Sequence, residues 1–369
     1  MRAEPSILIT GATGLLGRAV LTRLLAANPH LRAFVLGRTG DGERGTGNGR
    51  TASAVPRSPS PAIIPVRGDL CADGLGIAPD ERAAIRRDVT AIVHLAANTS
   101  FSTPLDRARA ANTVGTQRVL ELANDCANPV HVAHVSTAFV AGRQTGMIAE
   151  SLGAPAAGFV NAYEQSKYEA EQLVQAHAAS WVIFRSSTVV CDDASGRVTQ
   201  LNAVHRALRL FHDGLVAMMP GVAGSTVDAV TTSFVADAIA RLALRDDASG
   251  RVVHLCAGDG ALPLDELLDI TYERWSADPL WRRRLIARPA LTDLATYRLF
   301  ERTIEDVGDP SLKRLTRALS HFVPQLALPK RFETSNAERL LGYGAPPVRD
   351  FWLPMLDHLL ATPQRARAA

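Results

Sequence analysis

Through its first half the chain alternates short apolar runs with longer stretches in which leucine, valine and alanine recur every three or four positions. The runs Ser6–Thr10, Ala33–Leu36, Ala62–Arg67, Ala91–Leu95, Val130–Ser136 and Val182–Arg185 are predicted strands. Gly17–Ala27, Leu105–Cys126 and Tyr163–Ala178 are predicted amphipathic helices between them. Such alternation predicts an α/β fold, a Rossmann-like doubly wound parallel sheet with right-handed crossovers and helices on both faces.

The rhythm breaks twice. Residues 39–61 read "TGDGERGTGNGRTASAVPRSPSP", with almost nothing to bury, so a flexible surface loop is expected there, a ligand lid being the sharper alternative. Beyond about residue 195 the alternation fades, although Val230–Leu244 and Arg251–Leu255 look like a return to the sheet. The expected division is a nucleotide-binding domain over 1–195, joined by 226–258, and a smaller, mostly helical substrate lobe over 196–225 and 259–369.

Composition narrows the class. With 47% hydrophobic and 21% charged residues the chain is neither disordered nor membrane-like, and a net charge of +3 gives no argument for nucleic acid. Every apolar run is cut well short of the roughly 20 residues that a membrane-spanning helix needs. Cys71, Cys126, Cys191 and Cys256 are scattered without metal-ligand spacing, which predicts small buried hydrophobes in a reducing compartment, no metal, and the cytoplasm as location.

Within "ILITGATGLLGRAVLTRLL" a strand, a glycine turn and a helix follow in order. Gly11 permits the tight turn, Gly14 removes a side chain where backbone approaches a ligand, and Gly17 lets helix and strand pack closely. The helix N-terminus then suits a pyrophosphate. About 20 residues on, an acidic side chain would select NAD. The chain has "FVLGRTG", with Gly37 and Arg38, and a guanidinium there favours the 2′-phosphate of NADP(H). Arg18 can add to this or simply be solvated. Asp69 in "RGDL" is placed for the adenine amino group, or for a turn.

Lysine occurs only at Lys167, Lys313 and Lys330 in a chain rich in arginine, and the first stands four residues after Tyr163 in "NAYEQSK". On a helix these two share a face. An ammonium beside a phenol is expected to lower its pKa from about 10 and make it an acid/base, while Lys167 bonds the nicotinamide ribose. Upstream, "HVAHVSTAFVAG" sets the hydroxyls of Ser136 and Thr137 at a strand's C-terminal end, where sites of such sheets lie.

In order, "TGATGLLG", "GDL", "HLAA", "AANTVGT", "VSTAFVAG" and "YEQSK" resemble an extended short-chain dehydrogenase/reductase over roughly residues 5–255, and most of all its thioester reductase and fatty acyl-CoA reductase branch, the male-sterility type. The resemblance implies Thr137, Tyr163 and Lys167 as the catalytic trio. It also implies Gly11, Thr13, Gly14, Leu15, Leu16 and Gly17 around the pyrophosphate, Asp69 and Leu70 at the adenine, Ala96 and Ala97 on the ribose side, and a structural Asn112. Ser186 stands where the family usually has proline, and Cys191-Asp192 where it has Gly-Asp.

The expected activity is NADPH-dependent reduction of a carbonyl, an acyl thioester by the resemblance, giving aldehyde or alcohol. The acyl-carrier protein or acyl-CoA would arrive separately. The arginines of "WRRRLIAR", Arg282, Arg283, Arg284 and Arg288, can meet such an acidic partner or form a solvated helix face. The alternatives are a nucleotide-sugar epimerase or dehydratase, a ketone or aldehyde reductase, and a non-catalytic NADP(H)-binding protein. The oligomeric state stays open between monomer and homodimer.

Overall fold

The computed structural model describes residues 6–38, 63–153, 155–308 and 322–361, with 313, 316 and 320. The expected 39–61 loop lies outside the described residues. Seven parallel strands form the central sheet: β1 (Ser6–Thr10), β2 (Arg32–Gly37), β3 (Ile63–Arg67), β4 (Ala91–His94), β5 (His131–Thr137), β7 (Ser180–Ser186) and the strand Arg251–Leu255. Their spatial order is β3, β2, β1, β4, β5, β7 and then Arg251–Leu255. The direction of winding reverses between β1 and β4, and the crevice above that point is where ligands of such sheets bind. A short strand β6 (Gly146–Ile148) lies outside the sheet and pairs with Lys330–Phe332.

Each sheet face carries its own core, as a period of two dictates. Ile7, Ile9, Val35 and Phe184 face helices α1 (Leu15–Ala27) and α6 (Thr232–Leu242), while Leu8, Phe34, Ile92 and Ile183 face α2 (Pro79–Asp88) and α3 (Leu105–Asn124). The sheet and the doubly wound arrangement agree with the sequence pattern. β5 extends one residue further than expected, to Thr137, and that residue closes the site described below.

A separate core collects Phe211, Trp275, Trp281, Phe351 and Trp352. It draws on α5 (Ala203–His212), the helix Leu264–Ser276 and the last helix, Val348–Ala361. The C-terminal region does not stay with this core. Ala337 and Leu340 of the helix Ser335–Leu341 pack into the core shared by α1 and α6. Cys191 and Cys256 are buried, as expected, but Cys71 is exposed. Among the described residues no His/Cys/Asp/Glu cluster suits a metal, and no helix is long and apolar enough to cross a membrane.

Helix α4 (Ala162–His177) packs over β5 and starts where Asn161 Oδ1 caps the Glu164 N–H at 3.1 Å. It carries a buried carboxylate, Glu171, that meets Arg185 of β7 in a fork, with Nη2 to Oε2 at 2.7 Å and Nε to Oε1 at 3.0 Å. Removing one member leaves the other charge buried alone, whereas replacing both need not. Glu171→Ala is therefore expected to lower unfolding free energy by about 3–5 kcal/mol, and Glu171→Leu combined with Arg185→Met by much less. Denaturant titration of the three proteins checks this.

Candidate active site

The glycine turn is closed by contacts that admit no side chain. Gly11 has φ +75°, and a Cβ on it would stand 2.6 Å from the backbone N of Ala96. A Cβ on Gly17 would stand 2.1 Å from the Gly11 carbonyl oxygen. At Gly14 the nearest atom would be that same oxygen at 3.4 Å, so one side of this residue is open. Gly14 is also the N-cap of α1; no side chain caps the helix and no acidic residue occupies its first turn. The start of α1, with Leu15, Leu16 and Gly17, thus keeps N–H groups and the positive end of the helix dipole for an anion, which fits a dinucleotide pyrophosphate.

Around the turn the other expected cofactor residues follow the ends of β2, β3 and β4. Gly37 faces Thr13, whose methyl would lie 3.9 Å from an added Cβ. Arg38 is exposed, and its charge is felt at Cys71 together with those of Asp69 and Arg118. Asp69 Oδ1 accepts a 2.8 Å hydrogen bond from the Cys71 N–H, so this carboxylate does form a turn. Leu70 is pressed against Gly115 of α3. The Ala96 N–H donates to Thr10 Oγ1 at 3.2 Å, which fixes the chain entering Ala97.

The Tyr163 phenol and the Thr137 hydroxyl face each other across the gap between α4 and the end of β5, near enough for the threonine to favour the phenolate. Thr137 Oγ1 also accepts from the Phe139 N–H at 3.2 Å. One turn beyond Tyr163, the buried Lys167 Nζ donates to the Val135 carbonyl at 2.8 Å and lies 3.2 Å from His134 Nε2. An ammonium has three N–H donors, so one remains for a ligand. The expected lowering of the Tyr163 pKa is not found. Burial pushes this phenol up to about 12, the Thr137 hydroxyl offsets only part of that, and burial lowers Lys167 to about 8. Spacing fixes which residues share a helix face, but not how dry that face is.

Two histidines to which the motifs assign no role lie beneath the lysine. Thr10, His94 and His134 are lateral neighbours across β1, β4 and β5, and the two imidazole centroids are 5.3 Å apart. The Thr116 hydroxyl donates to the Asn112 carbonyl at 2.6 Å, so toward His94 Nε2, 3.0 Å away, it can only accept. The His94 proton therefore sits on Nε2, and Nδ1 accepts from Thr10 Oγ1 at 2.7 Å. Burial and the Lys167 charge push His94 down to about 3, and His134 also falls well below the ordinary histidine value. A neutral His134 can accept from the lysine. Asn112, expected to be structural, accepts from the Asn98 N–H at 2.7 Å and donates to Ser166 Oγ at 2.9 Å, tying the loop after β4 to α4.

Aromatic rings cover the phenol. Phe101 lies 5.4 Å from Tyr163, meets Phe139 edge-on at 6.0 Å and stacks on Phe322 at 6.4 Å, centroid to centroid. This gives the site an apolar wall that joins residues 101, 139 and 322, and nothing in their local sequence could have connected them. Of the basic cluster, Arg284 donates to the carbonyls of His212 and Asp213, and Arg288 pairs with Asp265 and Asp269, so both serve the fold. Arg282 and Arg283 are exposed.

A family model described as male sterility protein matches residues 9–239. The chain belongs to that family. The turn at Gly11–Gly17, the Thr137–Tyr163 pair and Lys167 all lie inside the matched span. Fatty acyl-CoA reductase 8 of Arabidopsis thaliana is 30% identical over 163 residues, 39% of this chain and 33% of the relative. Fatty acyl-CoA reductase wat of Drosophila melanogaster is 30% identical over 145 residues, 37% of this chain and 28% of the relative. The match thus spans about a third of the curated relatives' length. Among solved structures, the terminal R domain from the myxalamid PKS-NRPS biosynthetic pathway superposes with a TM-score of 0.76 at 24% identity, covering 97% of this chain and 91% of that one. A UDP-glucuronic acid 4-epimerase from Bacillus cereus, crystallised with NAD, reaches 0.63 at 17% identity, covering 96% and 99%. The family resemblance read from the motifs is borne out, and both structural likenesses support the Rossmann-like fold.

The burial of Lys167 has a consequence for stability. A lysine whose pKa falls from 10.5 to about 8 on folding disfavours the folded state fully below about pH 8, and ceases to do so above the unfolded value. Between these limits the unfolded chain holds the extra proton, so stability rises with pH. Relative to a Lys167→Met variant, the wild-type chain is expected to gain about 3 kcal/mol across this window at about 1.4 kcal/mol per unit. Denaturant titrations at pH 7.5–10.5 measure the difference.

Proposed function

We propose that this chain is an NADPH-dependent reductase acting on an acyl thioester, presented by coenzyme A or by an acyl-carrier protein. The observation that carries the reading is the facing hydroxyls of Thr137 and Tyr163 with Lys167 one turn beyond, set at the C-terminal edge of a sheet whose first turn suits a pyrophosphate. Family membership and the acyl-CoA reductase relatives support the thioester as substrate class. Residues 1–195 with 226–258 hold the cofactor in this reading, and 196–225 with 259–369 contribute the substrate side.

NADPH, when bound, supplies the hydride for the carbonyl carbon. Tyr163 and Thr137 bond the carbonyl oxygen as it becomes negative, and Tyr163 gives it a proton. Dryness around the phenol strengthens these bonds and keeps the proton on Tyr163 until charge develops on the substrate. Lys167 holds the nicotinamide ribose with its remaining N–H, and its positive charge stabilises the phenolate left behind. Collapse of the resulting hemithioacetal releases thiol and aldehyde, and a second reduction would give the alcohol. The turn from Gly11 to Gly17 holds the pyrophosphate; Asp69 and Leu70 face the adenine, Ala96 and Ala97 the ribose side, and Arg38 the 2′-phosphate. Arg38 in place of an acid also weighs against the NAD-retaining epimerases that share the fold.

Reduction is checked by NADPH consumption against acyl-CoA and acyl-carrier thioesters, with aldehydes, ketones and nucleotide sugars alongside and products identified. Aldehyde or alcohol from a thioester supports the reading, turnover of ketones alone moves the chain to another branch, and NADPH binding without turnover makes it a binding protein. Tyr163→Phe is expected to lower kcat/KM by about 10²–10⁴ while NADPH affinity, read by fluorescence titration, stays within about threefold. Arg38→Glu is expected to weaken NADPH binding about 10–100-fold and leave NADH nearly unchanged, since a charge-assisted hydrogen bond of about 1.5–3 kcal/mol is lost.

A further inference from the structure

The second buried lysine, Lys330, lies far from Lys167 in sequence and is 6% exposed. It begins the short strand Lys330–Phe332 that pairs with β6. Its Nζ donates to the Gly142 carbonyl at 2.5 Å and to Gln325 Oε1 at 2.6 Å. Gln325 Nε2 donates in turn to Glu164 Oε1 at 2.5 Å. Glu164 is fully buried and accepts from the Val160 N–H at 2.9 Å and from Asn161 Nδ2 at 3.0 Å.

Both ends of this chain of bonds abut the reaction groups. Gly142, at φ +56°, terminates the single 3₁₀ turn Ala138–Ala141 that directly follows Thr137. Glu164 is the neighbour of Tyr163 and lies in the capped first turn of α4. Arg143 ties the same two segments once more, through its backbone N–H to the Gly158 carbonyl at 2.8 Å and its Nε to the Phe159 carbonyl at 3.0 Å. We propose that Lys330, acting through Gln325 and Glu164, is a positioning residue that holds the Thr137 turn and the Tyr163 helix in one register, so that the two hydroxyls converge on the same substrate oxygen. A buried acid and a buried base, neither at the reacting atoms, thereby let the C-terminal segment clamp both halves of the hydroxyl pair.

The inference rests on the reductase reading for its kinetic consequence but not for its structural one, and the experiment separates them. Lys330→Met and Gln325→Leu are compared with wild type by native-state hydrogen exchange and, with NADPH saturating, by the pH dependence of kcat. Amides of 138–142 and 158–164 are expected to lose protection together in both variants, while the C-terminal half of α4 keeps its own. The kcat should fall about ten- to hundredfold, as a misplacement near 1 Å would cause. NADPH affinity should change less than about threefold, and the limb of the pH profile that belongs to Tyr163 should move. The double variant should lose no more kcat than the worse single one, because both break one chain. Should Lys330→Met not fold, Gln325→Leu, which removes no charge, carries the same comparison. Loosening confined to Lys330–Phe332, or kcat within twofold of an active wild type, overturns the proposal. An inactive wild type overturns only the reductase reading, since the exchange pattern still decides the clamp.

Discussion

A lysine ammonium taken out of water needs acceptors that are themselves fixed, and in this fold the acceptors reach back to the glycine turn. Lys167 is held by the Val135 carbonyl and by His134. For His134 to accept, it must be neutral, and its burial against the ring of His94 keeps it so. His94 has its proton placed by Thr116 and accepts from Thr10. The same Thr10 hydroxyl takes the Ala96 N–H, and Ala96 is the backbone that leaves Gly11 no room for a side chain. Lys167 and the glycine turn are thus two ends of one buried polar row lying across β1, β4 and β5.

Helix α4 is where these demands meet. Its inward face carries Tyr163, Glu164, Lys167 and Glu171, a phenol and three groups that carry charge at neutral pH when exposed. An amphipathic helix normally hides aliphatic residues on that face. Here each polar group has a dedicated partner on another element: Thr137 for the phenol, Gln325 for Glu164, Val135 and His134 for Lys167, and Arg185 for Glu171. Buried charges with incomplete partners are costly, so such a face specifies one docking of the helix against the sheet. What that docking secures is the fixed placement of the Tyr163 hydroxyl, which aliphatic packing alone does not guarantee.

What the sequence made legible was local. Strands such as Ser6–Thr10, the glycine turn and the four-residue step from Tyr163 to Lys167 are each encoded in fewer than 20 consecutive positions, and periodicity or backbone sterics reads them directly. The direction of the Tyr163 shift was not legible, because it depends on Phe101 and its neighbours, which arrive from elsewhere in the chain. His94 and His134 stood in the motifs "HLAA" and "HVSTAFVAG", yet their adjacency appears only once β4 and β5 are known to pair in register. Glu164 and Gln325 are 161 positions apart, beyond any pattern of spacing. Lysine's rarity was the one available signal for Lys330, and it does not say what a lysine would touch.

The choice of cation follows from the shape of the acceptor. Where the partner is a planar carboxylate, as at Glu171, the chain uses Arg185, whose forked donors meet both oxygens at once. Where the partners are single atoms on different groups, a carbonyl and an imidazole at Lys167, a carbonyl and an amide at Lys330, a compact ammonium with three rotatable donors satisfies them and a rigid fork does not. A chain that otherwise draws its positive charge from arginine thus keeps lysine at two buried points, one on the helix that carries Tyr163 and one bonded to the turn that follows Thr137. The same chemistry explains why neither lysine would tolerate arginine as a conservative replacement: the extra donors would be buried without acceptors, in positions already 2% and 6% exposed.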